Sequence, residues 1–444
     1  MSHSLPLYPV ADESLAGLPE AAYAWARANG FRGQRGRLLP LPGPDGALVG
    51  YGFGIGTEDG RSPLVFGLAA AALEPGNYHL ASVPGDPTLA ALGFALGAYR
   101  FDRYLPAKPR SLLDLPEGAD AAEVARLTKS AVLARDLINT PTSDLGPVAL
   151  EAAIRTVANS HGAAVTSIVG DDLLRQNFPM IHAVGRAASE APRLVDVTWG
   201  RADAPLVTLV GKGVTFDTGG LDIKPSSSML LMKKDMGGSA NVLGLAAALM
   251  DRKLDIRLRV LIPIVENAIS ASAFRPGDVL VSRKGITVEI GNTDAEGRLI
   301  LADALALADE EAPEVMLDMA TLTGAARTAL GPELPPLYAT DDALATGLVE
   351  AGLTVDDPLW RMPLHKPYGS MISSKIADIN NAGSSGFAGS ITAALFLSRF
   401  VERAKAWAHL DIFAWAPEPR AGRPFGGTDQ GLRATYRYLV ERFG

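Results

Sequence analysis

The sequence NTDAEGRL occupies residues 292–299 and leads directly into an apolar helical pattern, which is typical of a turn from a strand into a helix. It places the carboxylates of Asp294 and Glu296 two positions apart, and Gly297 separates them from the guanidinium of Arg298. Carboxylates at positions i and i+2 of such a turn can face one cavity. An arginine directly after them can hold an anion beside the carboxylates. Together, these side chains fit one half of a dinuclear metal site.

The same stretch also fits an ordinary helix start. Thr293 and Glu296 have the spacing of a capping box, in which the threonine caps the helix and the glutamate reaches back to its backbone. Acidic residues are common in a first helical turn because the helix dipole favours negative charge there. Taken alone, the stretch favours capping over a metal site, and a second segment has to decide.

The second segment is VGKGVTFDTGGLDIKPSSSMLLMKKDMGG, residues 210–238, which follows a strand-like apolar run at 206–210. Charged residues among glycines at the end of a buried strand are costly to desolvate unless they are paired or metal-bound. Open α/β sheets bind ligands at the carboxyl ends of their strands. The charged candidates in this segment are Lys212, Asp217, Lys224 and Asp235.

Three other motifs with similar residues do not fit. A phosphate-binding P-loop requires Ser or Thr after its lysine, whereas Gly213 follows Lys212. A dinucleotide-binding fingerprint would require a third glycine where the chain has Phe216. The absence of HExxH excludes the single-zinc helical proteases.

Taken together, the motifs resemble the leucyl aminopeptidase family of two-metal exopeptidases. They span residues 136–412 in the family's order and approximate spacing, whereas the resemblance before residue 120 is only general. The resemblance implies a hydrolase that releases N-terminal amino acids from peptides. The matching stretches are GKGVTFDTGG, IKPSSSMLLMKKDMGG, NTDAEGRLILADAL, MATLTGA at 319–325, AGSITAALFL at 388–397 and WAHLDI at 407–412.

The resemblance also implies a role for individual residues. Lys224 would bind and polarise the scissile carbonyl, and Arg298 would hold a bicarbonate ion near the attacking water. The implied ligands of two divalent metal ions are Lys212, Asp217, Asp235, Asp294 and Glu296. The implied substrate-binding residues are Met232, Asn292, Thr321, Leu322 and Gly324, with Thr323 in the same turn. A preference for apolar first residues such as leucine follows from the same resemblance.

The chemistry of these side chains agrees with that assignment. Four carboxylates nearly cancel the charge of two divalent cations, and such ligands suit either Zn²⁺ or Mn²⁺. A bridging carboxylate can hold two metals roughly 3.5–4 Å apart and so generate a nucleophile from water near neutral pH. A lysine ligand would have to be neutral, whereas Lys224 would stay charged to stabilise the oxyanion.

A protein general base is missing from the motifs. Histidine most often does this work, but none of the six histidines lies in the segments that carry the charged candidates. The bicarbonate implied at Arg298 would supply the base. His409 in WAHLDI has a strand pattern and is expected to be a core residue. The six are His3, His79, His161, His182, His365 and His409.

Composition indicates a soluble enzyme with two domains. The 444 residues carry a formal net charge of −8 and a pI of about 5.4, so a basic footprint for nucleic acid is absent. Cysteine is absent, which excludes disulfides and thiolate chemistry. The first residues lack a signal-peptide pattern and no apolar run is long enough for a membrane span, so a cytoplasmic location is expected. Assembly as a homohexamer is implied only by the resemblance.

The alternation of strand and helix patterns predicts an α/β fold. We expect a smaller N-terminal α/β domain at 1–120, which contains a helix-like run at 87–100. A catalytic domain at 121–444 would begin with a connecting helix at 121–139 and hold a central mixed sheet flanked by helices on both faces. Its predicted strands are 163–169, 194–199, 206–210, 257–265, 314–319 and 407–413. Its predicted helices are 147–159, 238–252, 298–311 and 389–405.

Residues 417–431 are expected to form a surface loop. This glycine- and proline-rich segment departs from the family pattern, and that departure puts specificity and assembly in doubt. In the family, such C-terminal segments lie near the active-site mouth and the subunit contacts. The departure therefore bears on specificity and assembly and leaves the expected chemistry unchanged.

Two alternative functions remain at this point. A non-catalytic family member could act as a binding or scaffolding protein, on DNA for example, but such a protein would be expected to lose a metal ligand. A narrow dipeptidase could use the same site, and only a panel of substrates would separate it from a general aminopeptidase.

Overall fold

The computed structural model describes residues 4–444. The chain divides into two compact units, and the division falls between Val132 and Leu133. Residues 416–426 belong to the first unit, and 427–444 return to the second. The domain boundary at residue 120 therefore stays a prediction, and the sequence did not indicate the excursion of 416–426.

The first unit contains a five-stranded sheet. Its order is β2-β3-β1-β4-β5, and every neighbouring pair is parallel except β2 with β3. Its helices pack closely, since a methyl group on Gly97 would lie 2.1 Å from the carbonyl oxygen of Gly67. The strands are β1 (Leu5–Val10), β2 (Leu38–Pro42), β3 (Leu48–Gly54), β4 (Gly76–Leu80) and β5 (Ser111–Leu113). The helices are α1 (Tyr23–Ala28), α2 (Phe66–Ala72) and α3 (Pro87–Gly97), with a 3₁₀ turn at Glu20–Ala22.

The division between the units falls inside α4 (Ala121–Asn139), which has the bounds that the sequence predicted. The strands of the second unit are β6 (Ala164–Val169), β7 (Arg193–Gly200), β8 (Leu206–Gly211), β9 (Gly213–Asp217), β10 (Arg257–Asn267), β11 (Val279–Val281), β12 (Thr287–Glu289), β13 (Val315–Ala320), β14 (Pro336–Ala339), β15 (Trp360–Arg361), β16 (Ile379–Asn380), β17 (Trp407–Asp411), β18 (Trp415–Ala416) and β19 (Gly426–Gly427); the last residue of β18 and the first of β19 are counted with the first unit. The helices are α5 (Pro147–Ser160), α6 (Asp172–Arg175), α7 (Pro179–Gly185), α8 (Ser226–Met229), α9 (Gly237–Arg252), α10 (Gly297–Asp309), α11 (Gly324–Leu330), α12 (Asp342–Thr354), α13 (Gly389–Ser398) and α14 (Leu432–Phe443), with 3₁₀ turns at Met232–Met236 and Lys366–Ile372.

Nine of these strands form the central sheet of the second unit. Their order is β15-β14-β17-β13-β8-β10-β7-β6, and β9 extends the pairing of β10. The four central strands β17, β13, β8 and β10 are parallel. β7 runs antiparallel to both β10 and β6, whereas β14 is antiparallel to β17 and parallel to β15. Helices flank the sheet, and the predicted mixed α/β architecture is confirmed.

The predicted strands and helices of this unit agree with the observed ones to within a few residues, with one exception. The helix predicted to continue to residue 405 ends at Ser398. The backbone N–H groups of Glu402, Arg403 and Ala404 instead donate to the carboxylate of Asp309 at distances of 2.8–3.0 Å. Because a carboxylate 93 to 95 positions away receives these bonds, the local pattern could not indicate the helix end.

The segment predicted as a surface loop at 417–431 is only partly exposed, and the prediction is wrong for its second half. Residues 426–431 are buried. The carboxylate of Asp429 lies 2.7 Å from the guanidinium of Arg135, and the backbone N–H of Gln430 donates to Asn241. A glycine-rich sequence predicts an exposed loop, but here the side chains between the glycines form buried hydrogen bonds.

None of the helices among residues 4–444 has the length and apolar character that crossing a lipid bilayer requires.

The junction between α9 and β13 offers a test of the packing that supports the sheet. A methyl group on Gly238 would lie 2.1 Å from the carbonyl oxygen of Met319. Ala is favoured over Gly in a helix by about 1 kcal/mol, but overpacking costs about 1–3 kcal/mol. Since this contact is with backbone, we expect Gly238→Ala to destabilise the protein by about 1–2 kcal/mol, measured as a lower midpoint of urea unfolding.

Gly369→Ala is the control for this prediction, because nothing lies within 4 Å of a methyl group added there. Equal unfolding midpoints for the two variants would contradict the prediction.

Candidate metal centre

The charged residues of the two motifs lie at the carboxyl ends of the parallel strands. Lys212 directly follows β8, Asp217 ends β9, and Thr321 directly follows β13. Because β8 and β13 are neighbours, the Nζ atom of Lys212 can donate to the carbonyl oxygen of Thr321 at 3.0 Å. These ends of the strands open into a cavity of about 600 Å³. The site residues that line it are Lys212, Asp217, Lys224, Met232, Asp235, Asn292, Asp294, Arg298, Thr321, Leu322 and Gly324.

Carboxylates are concentrated at this cavity: Asp217, Asp235 and Asp294 line it, and Glu296 does not line it but is buried close to Asp217 and Asp294. Oxygen atoms of Asp217, Asp294 and Glu296 all lie within 4.8 Å of one another. Asp217 and Glu296 are 2% and 1% exposed, and Asp235 is 3% exposed. Such crowding of buried negative charge requires nearby cations.

Two lysines supply positive charge within the cluster. The Nζ atom of Lys212 lies 2.8 Å from Asp235 and 3.1 Å from Glu296. Lys224 pairs with Asp217 at 2.8 Å and also with Asp294. Burial disfavours both ammonium groups, but the carboxylates outweigh it and raise the pKa of each lysine above its ordinary value.

The same crowding acts on the acids. Burial and the neighbouring carboxylate of Asp217 raise the pKa of Glu296 to about 8 and that of Asp294 to about 6. Both oxygens of Glu296 are buried without a hydrogen bond of good geometry among the described residues, and so is Oδ1 of Asp294. Apart from the ammonium groups of Lys212 and Lys224, these oxygens have no donor among the described residues, and buried carboxylate oxygens of this kind are suited to a hard cation. The donor set therefore fits divalent metal ions.

Neighbouring polar residues hold the acids in place. Asn267 donates through its side-chain amide to Oδ1 of Asp217 at 2.8 Å and to the carbonyl oxygen of Thr293 at 3.1 Å. The backbone N–H of Gly219 also donates to Asp217. Sequence reasoning did not find Asn267, since no motif spacing connects it to the site.

Thr293 does not cap the following helix, so the capping-box interpretation is wrong. The helix begins at Gly297, and Glu296 precedes it without a side-chain capping bond. The hydroxyl of Thr293 donates to the carbonyl oxygen of Gly219 at 2.6 Å and accepts from the N–H of Asp222 at 2.9 Å. It thus ties the two motifs together, a contact across 71 to 74 positions that the local pattern could not indicate.

Arg298 presents an unused donor. Its Nη1 donates to the carbonyl oxygen of Asn381 at 2.6 Å, and its guanidinium lies 6.0 Å from the ring centre of Phe396. Its Nε is buried without a hydrogen-bond partner among residues 4–444. Burial lowers the pKa of Arg298 to about 10, so the group is charged at neutral pH. The arrangement fits an anion at this point.

The turn after β13 is held by a residue that the sequence reasoning did not single out. Asp411, at the end of β17, accepts hydrogen bonds from the N–H groups of Leu322 and Thr323 at 3.0 and 3.1 Å. The hydroxyls of Thr323 and Ser390 donate to its other oxygen. Its position within WAHLDI, at the end of a parallel strand, was the signal that could have identified it.

His409 is a core residue, as predicted. It is fully buried, its Nδ1 lies 2.6 Å from Asp318, and its ring stacks near those of Tyr338 and Trp407. No histidine of the described residues lines the cavity. His3 lies outside the described residues.

Lys234 is a further cation at the cavity, to which the sequence analysis assigned no role. It is 5% exposed and lines the cavity, and its Nζ lies 4.8 Å from the ring centre of Phe413. Burial lowers its pKa to about 8, and Lys212 and Arg327 act in the same direction. It remains mainly charged at neutral pH.

Two known protein domains match this chain, one in its N-terminal part and one in the rest. The catalytic domain of the cytosol aminopeptidase family matches residues 132–435, and the N-terminal domain of the M17 aminopeptidases matches residues 7–116. A probable cytosol aminopeptidase of Syntrophotalea carbinolica is 42% identical over 360 residues, which is 77% of this chain and 72% of that protein.

Solved structures are also similar to this chain over nearly its whole length. The crystal structure of cytosol aminopeptidase from Coxiella burnetii is 45% identical, covers 100% of this chain and 98% of its own, and has a TM-score of 0.94. The bottromycin maturation enzyme BotP in complex with Mn is 34% identical, covers 100% of both chains and has a TM-score of 0.90. With its acidic cluster at the same strand ends that the motifs predicted, the chain belongs to the cytosol aminopeptidase family of metal-dependent aminopeptidases.

Proposed function

We propose that this protein releases the N-terminal amino acid from peptides, with a preference for apolar first residues such as leucine. The observation that carries the proposal is the meeting of three carboxylates, two lysines and Arg298 in the wall of one cavity of about 600 Å³, with the buried carboxylate of Glu296 paired to Lys212. A cavity of that volume accommodates the end of a peptide. A non-catalytic family member would have no need to keep such costly buried charge.

The side chains that would hold two divalent ions are Lys212, Asp217, Asp235, Asp294 and Glu296. When bound, the ions would supply Lewis acidity and lower the pKa of a coordinated water. Either Mn²⁺ or Zn²⁺ suits these ligands; the presence of Mn in the related BotP structure supports the former.

Lys224 is proposed to stabilise the negative charge that develops on the scissile carbonyl oxygen. Its ammonium group is held by Asp217 and Asp294 and reaches the cavity. Those carboxylates raise its pKa, so it stays protonated and can act as an electrophile. A fixed cation in a water-poor site stabilises such charge far better than solvent does.

Arg298 is proposed to hold a bicarbonate ion, which takes the place of a protein general base. The buried Nε atom without a partner is the donor that supports this role. The carbonyl oxygen of Asn381 fixes the guanidinium from the other side. Arg298 would thereby keep a proton acceptor beside the acidic cluster.

The substrate is proposed to bind along one wall of the cavity. Met232 would contact the first side chain, and Asn292 with the turn Thr321, Leu322 and Gly324 would contact the peptide. Thr321 donates through its hydroxyl to the carboxylate of Asp235 at 2.8 Å, so the turn and the acidic cluster are fixed to each other.

Assembly and location are also proposals. A homohexamer in the cytoplasm follows from membership of the family, and peptides are the expected partners. Nucleic acid is not expected to bind, given the net charge of −8.

Loss of one acidic ligand should remove both metal and activity. We expect Asp294→Ala to lower hydrolysis of a leucine anilide by at least about 100-fold in the presence of Mn²⁺ or Zn²⁺, because metal catalysis contributes several kcal/mol. Metal content after dialysis, measured by mass spectrometry, should fall in parallel, and a chelator should inactivate the unchanged protein.

Asp203→Ala is the matched control, because Asp203 is 80% exposed and pairs only with Arg201 among the described side chains. Activity of Asp294→Ala that persists in a chelator would overturn the proposal.

Arg298→Ala should distinguish loss of the proton acceptor from loss of the metal ions. We expect turnover to fall by about 100-fold or more, the usual contribution of a positioned proton acceptor, while both metals stay bound. The measurements are kcat for the leucine anilide and metal content of the same sample.

In the unchanged protein, bicarbonate added to a carbonate-depleted sample should raise kcat, and in Arg298→Ala it should not. Equal stimulation of both proteins would rule out the proposed role of Arg298.

A further inference from the structure

Two cations meet on one aromatic ring in the wall of the cavity. The Nζ atom of Lys234 and the guanidinium carbon of Arg327 each lie 4.8 Å from the ring centre of Phe413. All three residues line the cavity that holds the acidic cluster. We call these residues the Phe413 cluster.

Neither cation of the Phe413 cluster has an acidic partner among residues 4–444. Lys234 is only 5% exposed. Among the described residues, no carboxylate forms an ion pair with its ammonium group and no side chain forms a hydrogen bond with it. Arg327 is exposed on α11 and makes no ion pair. Burial of an ammonium group without a counter-ion is costly, so the arrangement favours an anion from outside the chain.

The nearest acids are already engaged. Asp411 accepts two backbone N–H groups and two hydroxyls, and Asp235 pairs with Lys212. The two cations also repel each other, because both lie 4.8 Å from the centre of the same ring. An anion between them would relieve that repulsion and gain two charge-assisted contacts.

We propose that the Phe413 cluster is a carboxylate-binding subsite for the peptide substrate. Lys234 directly precedes Asp235, and Arg327 lies one helical turn after Gly324, so the subsite continues the wall on which the peptide is proposed to bind. The protein therefore favours peptides that carry a carboxylate close to the N-terminal amine. This inference rests on the proposed aminopeptidase activity.

Three sources could supply the carboxylate: the first side chain, the second side chain, or the C-terminus of a dipeptide. Pairs of substrates that differ only by carboxylate and amide separate them. The pairs are glutamyl and glutaminyl anilide, Leu-Glu-amide and Leu-Gln-amide, and Leu-Gly and Leu-Gly-amide.

For at least one pair we expect kcat/KM to favour the carboxylate by about tenfold or more, as a charge-assisted contact predicts. In Arg327→Gln and in Lys234→Met that ratio should fall towards one, mainly through KM. High salt should also reduce it, because exposed charges such as Arg327 are screened.

The ratio within a pair distinguishes binding from a structural role. Loss of packing in Lys234→Met would slow both members of a pair equally and leave the ratio of their kcat/KM values unchanged. Arg327→Gln tests the same subsite at its exposed residue. Arg201→Gln, at a residue whose side chain is 63% exposed and outside the cavity, is the charge-matched control.

Hydrolysis of all six substrates without a preference for the carboxylate, or a preference that survives in both variants, would overturn the subsite but not the aminopeptidase. Failure to hydrolyse any of them, together with leucine anilide, would overturn the proposed function and the subsite with it.

Discussion

Repulsion among buried carboxylates is the constraint around which the second unit is organised. Asp217, Asp294 and Glu296 bring oxygen atoms within 4.8 Å of one another, and two of these acids, Asp217 and Glu296, are almost completely buried. Lys212 and Lys224 offset part of that repulsion, and divalent ions would offset more. The chain keeps this unfavourable cluster because it provides hard oxygen ligands at one point.

The sheet makes the cluster possible. Parallel neighbours β8 and β13 end at the same edge, so residues that directly follow them are adjacent although they are about a hundred positions apart in sequence. Hydrogen bonds to carboxylates and to backbone atoms then hold the segments around the cluster in place. They are formed by Asn267, Thr293 and Asp411. Such preorganisation lets the site act on a substrate without first reordering its own charged groups.

The cavity contains positive charge of two kinds. Lys212 and Lys224 are enclosed by carboxylates and belong to the acidic cluster, whereas Lys234 and Arg327 lie against Phe413 without such partners. The difference in neighbours, not in residue type, separates the lysines proposed to take part in the chemistry from the two cations proposed to select the substrate.

The sequence by itself determined the family and most of the central architecture. The periodicity predicted α4, α5, α9 and the central strands because these elements bury one regular stripe or a continuous apolar run. The resemblance of the motifs to a known family implied which acids and lysines would meet, and the strand pattern placed Lys212 and Asp217 at the carboxyl end of a strand. The tertiary structure alone decided the role of Thr293, the end of α13 at Ser398, the burial of 426–431 and the pairing of Lys234 with Arg327 at Phe413. Each of these depends on contacts between residues far apart in the chain, and no local pattern of residues carries that information.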